Sequence, residues 1–155
     1  MAIGGGFEVL LHSDKIIAHT NSVLGLVESG VGLIPGGGGV KETYLRCLTQ
    51  LKNSNDAAWK TWMQIGYGQT GTSPEKSAEL FYFLPERDQT EMNRDYLINA
   101  GIALIKEINH MGYKKPQPQT IKLPGNSIIN KMEEFMDNGI ETVSYTHLRA
   151  HETGP

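Results

Sequence analysis

Two carboxylates near the start of the chain stand in surroundings that could do proton chemistry. Glu8 follows Gly4-Gly5-Gly6 at the mouth of a predicted short helix, and Glu28 lies twenty residues later in Gly25-Leu26-Val27-Glu28-Ser29. A glycine turn at a helix start presents N–H groups with no intrahelical partner, and these can hold a developing oxyanion. A carboxyl group among apolar neighbours suits general acid or base work. By residue type alone each glutamate keeps a plainer alternative: Glu8 as an acid favoured by the helix N-terminus, Glu28 as an exposed loop residue.

The remaining chemistry-bearing patterns are weaker. Gly66-Tyr67-Gly68-Gln69-Thr70-Gly71 matches G-x-G-x-x-G, but an apparent helix carrying Trp59, Trp62 and Met63 precedes it, where a dinucleotide site needs a strand. A helix-ending turn is expected there. Gly36 to Gly39 are followed by Val40-Lys41-Glu42, so the Gly-Lys-Ser/Thr core of a phosphate loop is missing. His12 and His19 are read as structural or exposed. His147 and His151 share a helical spacing, yet two ligands without a third make no metal site. With one cysteine, Cys47, neither an internal disulfide nor a Cys-rich zinc site is available.

Short elements must position these residues. A turn at Gly4–Gly6 opens a helix through Phe7 to Leu11. Lys15–His19 and Ser22–Leu24 are strand candidates with a turn at Asn21. Val40–Leu51 is predicted helical from Tyr44, Leu45, Leu48 and Leu51, and Ala57, Ala58, Trp62 and Ile65 mark the next helix. Ser73-Pro74-Glu75 has the form of a cap with proline at the first helical position, starting a helix through Leu80. From Asn93, a stripe of Leu97, Ala100, Leu104, Ile108 and Met111 runs to a stop at Gly112. A connector over Lys114–Pro118 leads to a last amphipathic helix with Ile128, Met132 and Phe135 on one face, expected to end at Gly139.

Composition narrows the class. The 155 residues are 39% hydrophobic and 20% charged, with a net charge of -3, which suits a packed domain or part of one. The acidic balance argues against nucleic-acid capture, and no apolar run nears the roughly 20 residues of a membrane span. Met1 runs into glycines without a secretory leader, so a reducing, cytoplasmic setting is expected. Ten of the 18 glycines fall in the first 39 residues, a crowding that requires close backbone approach or positive φ.

Gly4-Gly5-Gly6-Phe7-Glu8-Val9, Asp14, Ala18, Gly25-Leu26-Val27-Glu28 and Gly32-Leu33-Ile34-Pro35-Gly36-Gly37-Gly38-Gly39 together resemble the central signature of the crotonase superfamily, the enoyl-CoA hydratase/isomerase fold. Met92-Asn93-Arg94-Asp95 and Gly112-Tyr113-Lys114-Lys115-Pro116 resemble the C-terminal hydratase-like region of bacterial 3-hydroxyacyl-CoA dehydrogenase fusions. The resemblance implies an α/β fold: the rear of a crotonase-like β-β-α superhelix over residues 1–52, then a helical C-terminal region over 53–142. It implies an acyl-CoA thioester as substrate and no cofactor in this segment, with NAD bound only by an upstream domain that the chain lacks. No nucleic acid or membrane partner is expected, and the C-terminal helices could mediate homo-oligomerisation.

Carried over residue by residue, Glu8 would activate or orient water and Glu28 would protonate the carbon beside the thioester. Gly5 would give one oxyanion N–H, and the Gly36 backbone would help hold the water. Double-bond isomerisation, which needs one carboxylate and no water, is the alternative chemistry. The first half of the crotonase domain, with the other oxyanion donor, is missing, so the isolated chain is expected to be a non-catalytic fragment. Phe81-Tyr82-Phe83 stands where relatives often have a glycine-containing turn. Residues 143–155 resemble translated sequencing-adapter read-through, a non-native tail.

Overall fold

A computed structural model of the chain describes residues 1–117 and 120–151, with side chains as far as Asn138. Met1–Ile121 form one compact unit and the chain from Lys122 onward a second. The first unit is mixed α/β. It runs β1 (Ala2–Ile3), α1 (Gly5–Leu11), β2 (Ile17–His19), β3 (Leu24–Gly25), a 3₁₀ turn at Glu28–Val31, α2 (Gly39–Leu51) and α3 (Ser54–Gly66). It continues through β4 (Thr70–Gly71), α4 (Pro74–Glu79), β5 (Gln89–Glu91), a 3₁₀ turn at Arg94–Tyr96 and α5 (Leu97–His110). The second unit contains α6 (Asn126–His151).

Each of the two strand candidates forms only in part, Ile17–His19 of the first and Leu24 of the second, and the two join different sheets. β3 pairs parallel with β1, Ala2 opposite Leu24 and Ile3 opposite Gly25, and antiparallel with β4. β2 instead pairs parallel with β5, Ile17 opposite Gln89 and His19 opposite Glu91. β1, β4 and β5 escape sequence reading because strands of two or three residues carry no measurable alternation. β3 begins at Leu24 and not at Ser22.

Phe7 and Leu11 on the buried face of α1 meet Ile16, Ala18, Leu24, Leu26, Tyr82 and Phe83 in the main core. The Phe7 and Tyr82 rings pack edge to face with centroids 4.9 Å apart. A second cluster of Tyr44, Cys47 and Ala57 joins α2 to α3. The Asn53 side chain caps α3 by accepting from the Asn55 and Asp56 amides, and Ser73 caps α4 by accepting from Lys76.

Asp88 fastens the segment before β5. Its side chain is fully buried; it accepts from the Ile16 amide at 2.9 Å and the Leu84 amide at 2.9 Å, and pairs with Arg87. The Gln89 amide then donates to the Ile16 carbonyl, setting the β2–β5 register.

Two helix expectations are corrected. In α5 the inward face comprises Leu97, Ala100, Leu104 and Ile108, but Met111 is 67% exposed, because it lies past the last helical residue His110. Gly112 does take the left-handed conformation, φ 75°. α6 does not end at Gly139 but continues to His151. A lone glycine costs a helix only about 1 kcal/mol relative to alanine, and no proline follows before Pro155. Pro118 lies outside the described residues, as do the side chains of His147 and His151.

Candidate active site

α1 is entered through Gly4, whose φ of 60° is accessible to glycine at little cost. The Gly4 amide donates to the Gly25 carbonyl at 2.9 Å, tying the helix start to the end of β3. The Phe7 and Glu8 amides both donate to the Gly4 carbonyl. The amides of Gly5 and Gly6 have no acceptor among the described residues, and both glycines are exposed. The glycine turn therefore offers the paired donors expected at a helix start.

Glu28 opens the 3₁₀ turn just after β3. That turn is fastened by the Leu33 amide donating to the Glu28 carbonyl, by left-handed Gly32, and by the Ser29 hydroxyl donating to Ile65 at 2.7 Å. The Glu28 carboxylate lies against Gly4: a Cβ there would sit 3.4 Å from Glu28 Oε1. Its Oε2 is buried without a hydrogen-bond partner. Glu28 is thus no solvated loop residue, and it stands one residue from the free Gly5 amide.

Glu8 projects from the same turn and is buried, 7% exposed. Its Oε1 accepts from the Gly39 amide, the first residue of α2, at 2.8 Å. A Cβ on Gly37 would fall 2.7 Å from Glu8 Oε2, and one on Gly39 would fall 2.9 Å from Oε1. The four-glycine run is therefore a cradle for a carboxylate, not for a phosphate. Glu8 stands in the first turn of α1, and its carboxylate bonds the N-terminus of α2. Gly36 lies exposed beside this cradle.

Sequence reading missed three supports of this arrangement. His12, one turn beyond Glu8, has Nε2 3.0 Å from the Gly37 carbonyl and Nδ1 3.5 Å from Glu42 Oε1. Its i, i+4 spacing from Glu8 was the available signal. Arg46 is buried and donates to the Leu11 and Tyr82 carbonyls, joining the end of α1 to the core. Burial pulls its guanidinium down to about 10, with Arg87 adding to the effect and Asp88 and Glu42 opposing it. Tyr82 is wholly buried, its hydroxyl unpartnered. Burial raises this phenol above its ordinary value, and the charges of Cys47 and Glu28 push the same way.

Other patterns resolve as follows. His19 Nδ1 accepts from the Asn21 amide in the turn after β2. The G-x-G-x-x-G stretch follows helix α3 and turns at Gly68, φ 55°, into β4, so the strand–loop–helix order of a dinucleotide site is not present. Cys47 is buried against Gln64 and Thr61, and burial raises its thiol above the ordinary value. No group of three metal-ligating side chains occurs among the described residues. A groove of about 380 Å³ between β2 and α5, lined by Asp14, Lys15, Ile17, Leu104 and Ile105, involves none of the predicted site residues. Phe81 takes φ 56°, and Tyr82 and Phe83 enter the core.

The chain is 37% identical over 127 residues to a Bacillus subtilis protein described as a "probable 3-hydroxyacyl-CoA dehydrogenase", covering 82% of this chain and 16% of that protein. It therefore spans about a sixth of that relative's length. An enoyl-CoA hydratase structure from Mycobacterium tuberculosis superposes with a TM-score of 0.53 and 25% identity, covering 70% of this chain and 37% of the other. One from Bacillus anthracis gives 0.54 and 24%, covering 70% and 36%. No protein-family model matches the chain. Among the described residues, no helix is long and apolar enough to cross a membrane. With its small mixed sheets, its glycine-framed α1 and its helical C-terminal region, the chain carries part of the crotonase fold of the enoyl-CoA hydratases.

Proposed function

We propose that this chain is part of an enzyme that hydrates trans-2-enoyl-CoA to 3-hydroxyacyl-CoA, a fatty-acid β-oxidation step that would take place in the cytoplasm. The observation that carries the reading is the placement of the Glu28 carboxylate, its Oε1 beside Gly4 and its Oε2 buried without a partner, next to the turn that bears the free Gly5 amide, while Glu8 on α1 is held by the Gly39 amide at the start of α2. Water adds to the β-carbon of the thioester and its proton passes to Glu8. Negative charge grows on the carbonyl oxygen, where the Gly5 N–H receives it. Glu28 gives a proton to the α-carbon, and the Gly36 backbone helps orient the water.

The name of the Bacillus subtilis relative supports a longer protein in which an NAD-dependent domain oxidises the hydroxyl that this site creates. NAD would bind there and not in this segment. In this reading Gly5 supplies one oxyanion donor and another part of that longer protein the second, so the 155-residue chain alone is inactive. Exposed Ile98, Ile102 and Ile105 on α5 are the apolar surface through which such proteins would self-associate.

The longer protein should hydrate crotonyl-CoA, and Glu8→Gln and Glu28→Gln should each lower the rate by about 10²–10⁴-fold. Unchanged rates in both variants would remove these residues from the mechanism. Conversion of 3-hexenoyl-CoA without hydration of 2-hexenoyl-CoA would replace hydration by isomerisation.

A further inference from the structure

We propose that His12 is a positioning residue for Glu8, acting through the glycine loop; the inference rests on the catalytic reading of Glu8 above. Glu8 on α1 and His12 at its C-cap are one helical turn apart, and both reach the glycine loop. Glu8 accepts from the Gly39 amide at 2.8 Å, and His12 Nε2 lies 3.0 Å from the Gly37 carbonyl. Between them Gly38, at φ 98°, brings the loop so close that a Cβ would lie 2.9 Å from both Nε2 and Cε1 of His12.

A carbonyl only accepts, so the contact with Gly37 requires the proton on Nε2. The other ring nitrogen faces Glu42 Oε1 at 3.5 Å, and Lys41 Nζ meets the same oxygen at 2.7 Å. The imidazole thus donates through Nε2 towards the loop. Glycines without side chains have many backbone conformations to lose on ordering, so one fixed carbonyl limits where the Gly39 N–H can point. His12 touches neither the thioester nor the water in the proposed reaction. Its effect reaches the chemistry only through the carboxylate that Gly39 holds.

The test uses the 155-residue chain for amide exchange and the longer protein for rates. His12→Leu removes the donor; His12→Gln keeps an N–H near the Nε2 position. In His12→Leu the Gly39 amide should exchange about 2- to 10-fold faster, the range of one ordinary hydrogen bond, while the Leu11 amide inside α1 stays unchanged. His12→Gln should restore slow Gly39 exchange. Hydration should fall by a similar factor in kcat for His12→Leu, with KM held within about twofold, and recover in His12→Gln. Unaltered Gly39 exchange in His12→Leu overturns the inference. So does altered exchange with unaltered kcat when Glu8→Gln abolishes turnover. Full turnover in Glu8→Gln would instead overturn the catalytic role of Glu8 on which the inference stands, even if His12 still fixed the loop.

Discussion

Replacing Gly39 by alanine tests whether the four-glycine run exists to cradle Glu8. Gly39 has ordinary helical backbone at the start of α2, so no conformational strain attends the change. Alanine there should even stabilise, by about 0.4–1 kcal/mol, through reduced freedom of the unfolded chain. Space decides otherwise. The new Cβ would lie 2.9 Å from Glu8 Oε1 and 3.0 Å from Glu8 Cγ and Leu26 Cδ1. The carboxylate must move, and the bond from the Gly39 amide is lost. A hydrogen bond to a charged group contributes about 1.5–3 kcal/mol, so the net expectation is a loss of about 1–2 kcal/mol. Urea unfolding should show a lower midpoint at unchanged slope, and thermal unfolding a Tm lower by about 2–8 °C. Gly36→Ala is the control. Its Cβ would meet only the Ile34 carbonyl, at 3.9 Å, and stability should stay within about 0.5 kcal/mol of the parent or rise. Equal stability of the two variants would refute the cradle.

Three further outcomes follow from buried groups. Tyr82→Phe should be as stable as the parent or more so by about 1 kcal/mol at neutral pH, since it deletes a buried hydroxyl with no partner. Because the folded phenol is raised, the unfolded chain loses its proton first; the parent's stability should fall as pH rises above about 10, by about 1 kcal/mol per unit relative to Tyr82→Phe. Arg46 is common to both proteins and cancels from that difference, so parallel stability profiles would contradict the assignment. Cys47 should react with iodoacetamide at least ~10² times more slowly in the native chain than in denaturant, and comparable rates would show that the α2–α3 cluster opens freely. Asp88→Ala should cost about 3–5 kcal/mol in urea unfolding, because it strands the Ile16 and Leu84 amides and the Arg87 charge; a loss below about 1 kcal/mol would show that β5 holds its place without this anchor.

The apolar face of α5, the start of α4 and the glycine frame were legible in the sequence. The stripe of α5, the Ser73-Pro74 cap of α4 and the turn before α1 are local devices, written in spacing and residue type within a few positions. The density of the glycine-glutamate signature also singled out Glu8 and Glu28, and the crotonase fold agrees with that resemblance.

Only tertiary structure decided what those residues touch. Nothing in the local sequence tells Glu8 to bond the start of α2, sends Glu28 against Gly4, or makes His12 hold Gly37, because each contact crosses 24 to 31 positions of chain. The short strands were equally hidden: β5 exists because Asp88 brings it beside Ile16, 72 residues away. Periodicity records the face an element buries, whereas the partner on that face is chosen by the closing of the whole chain around its core.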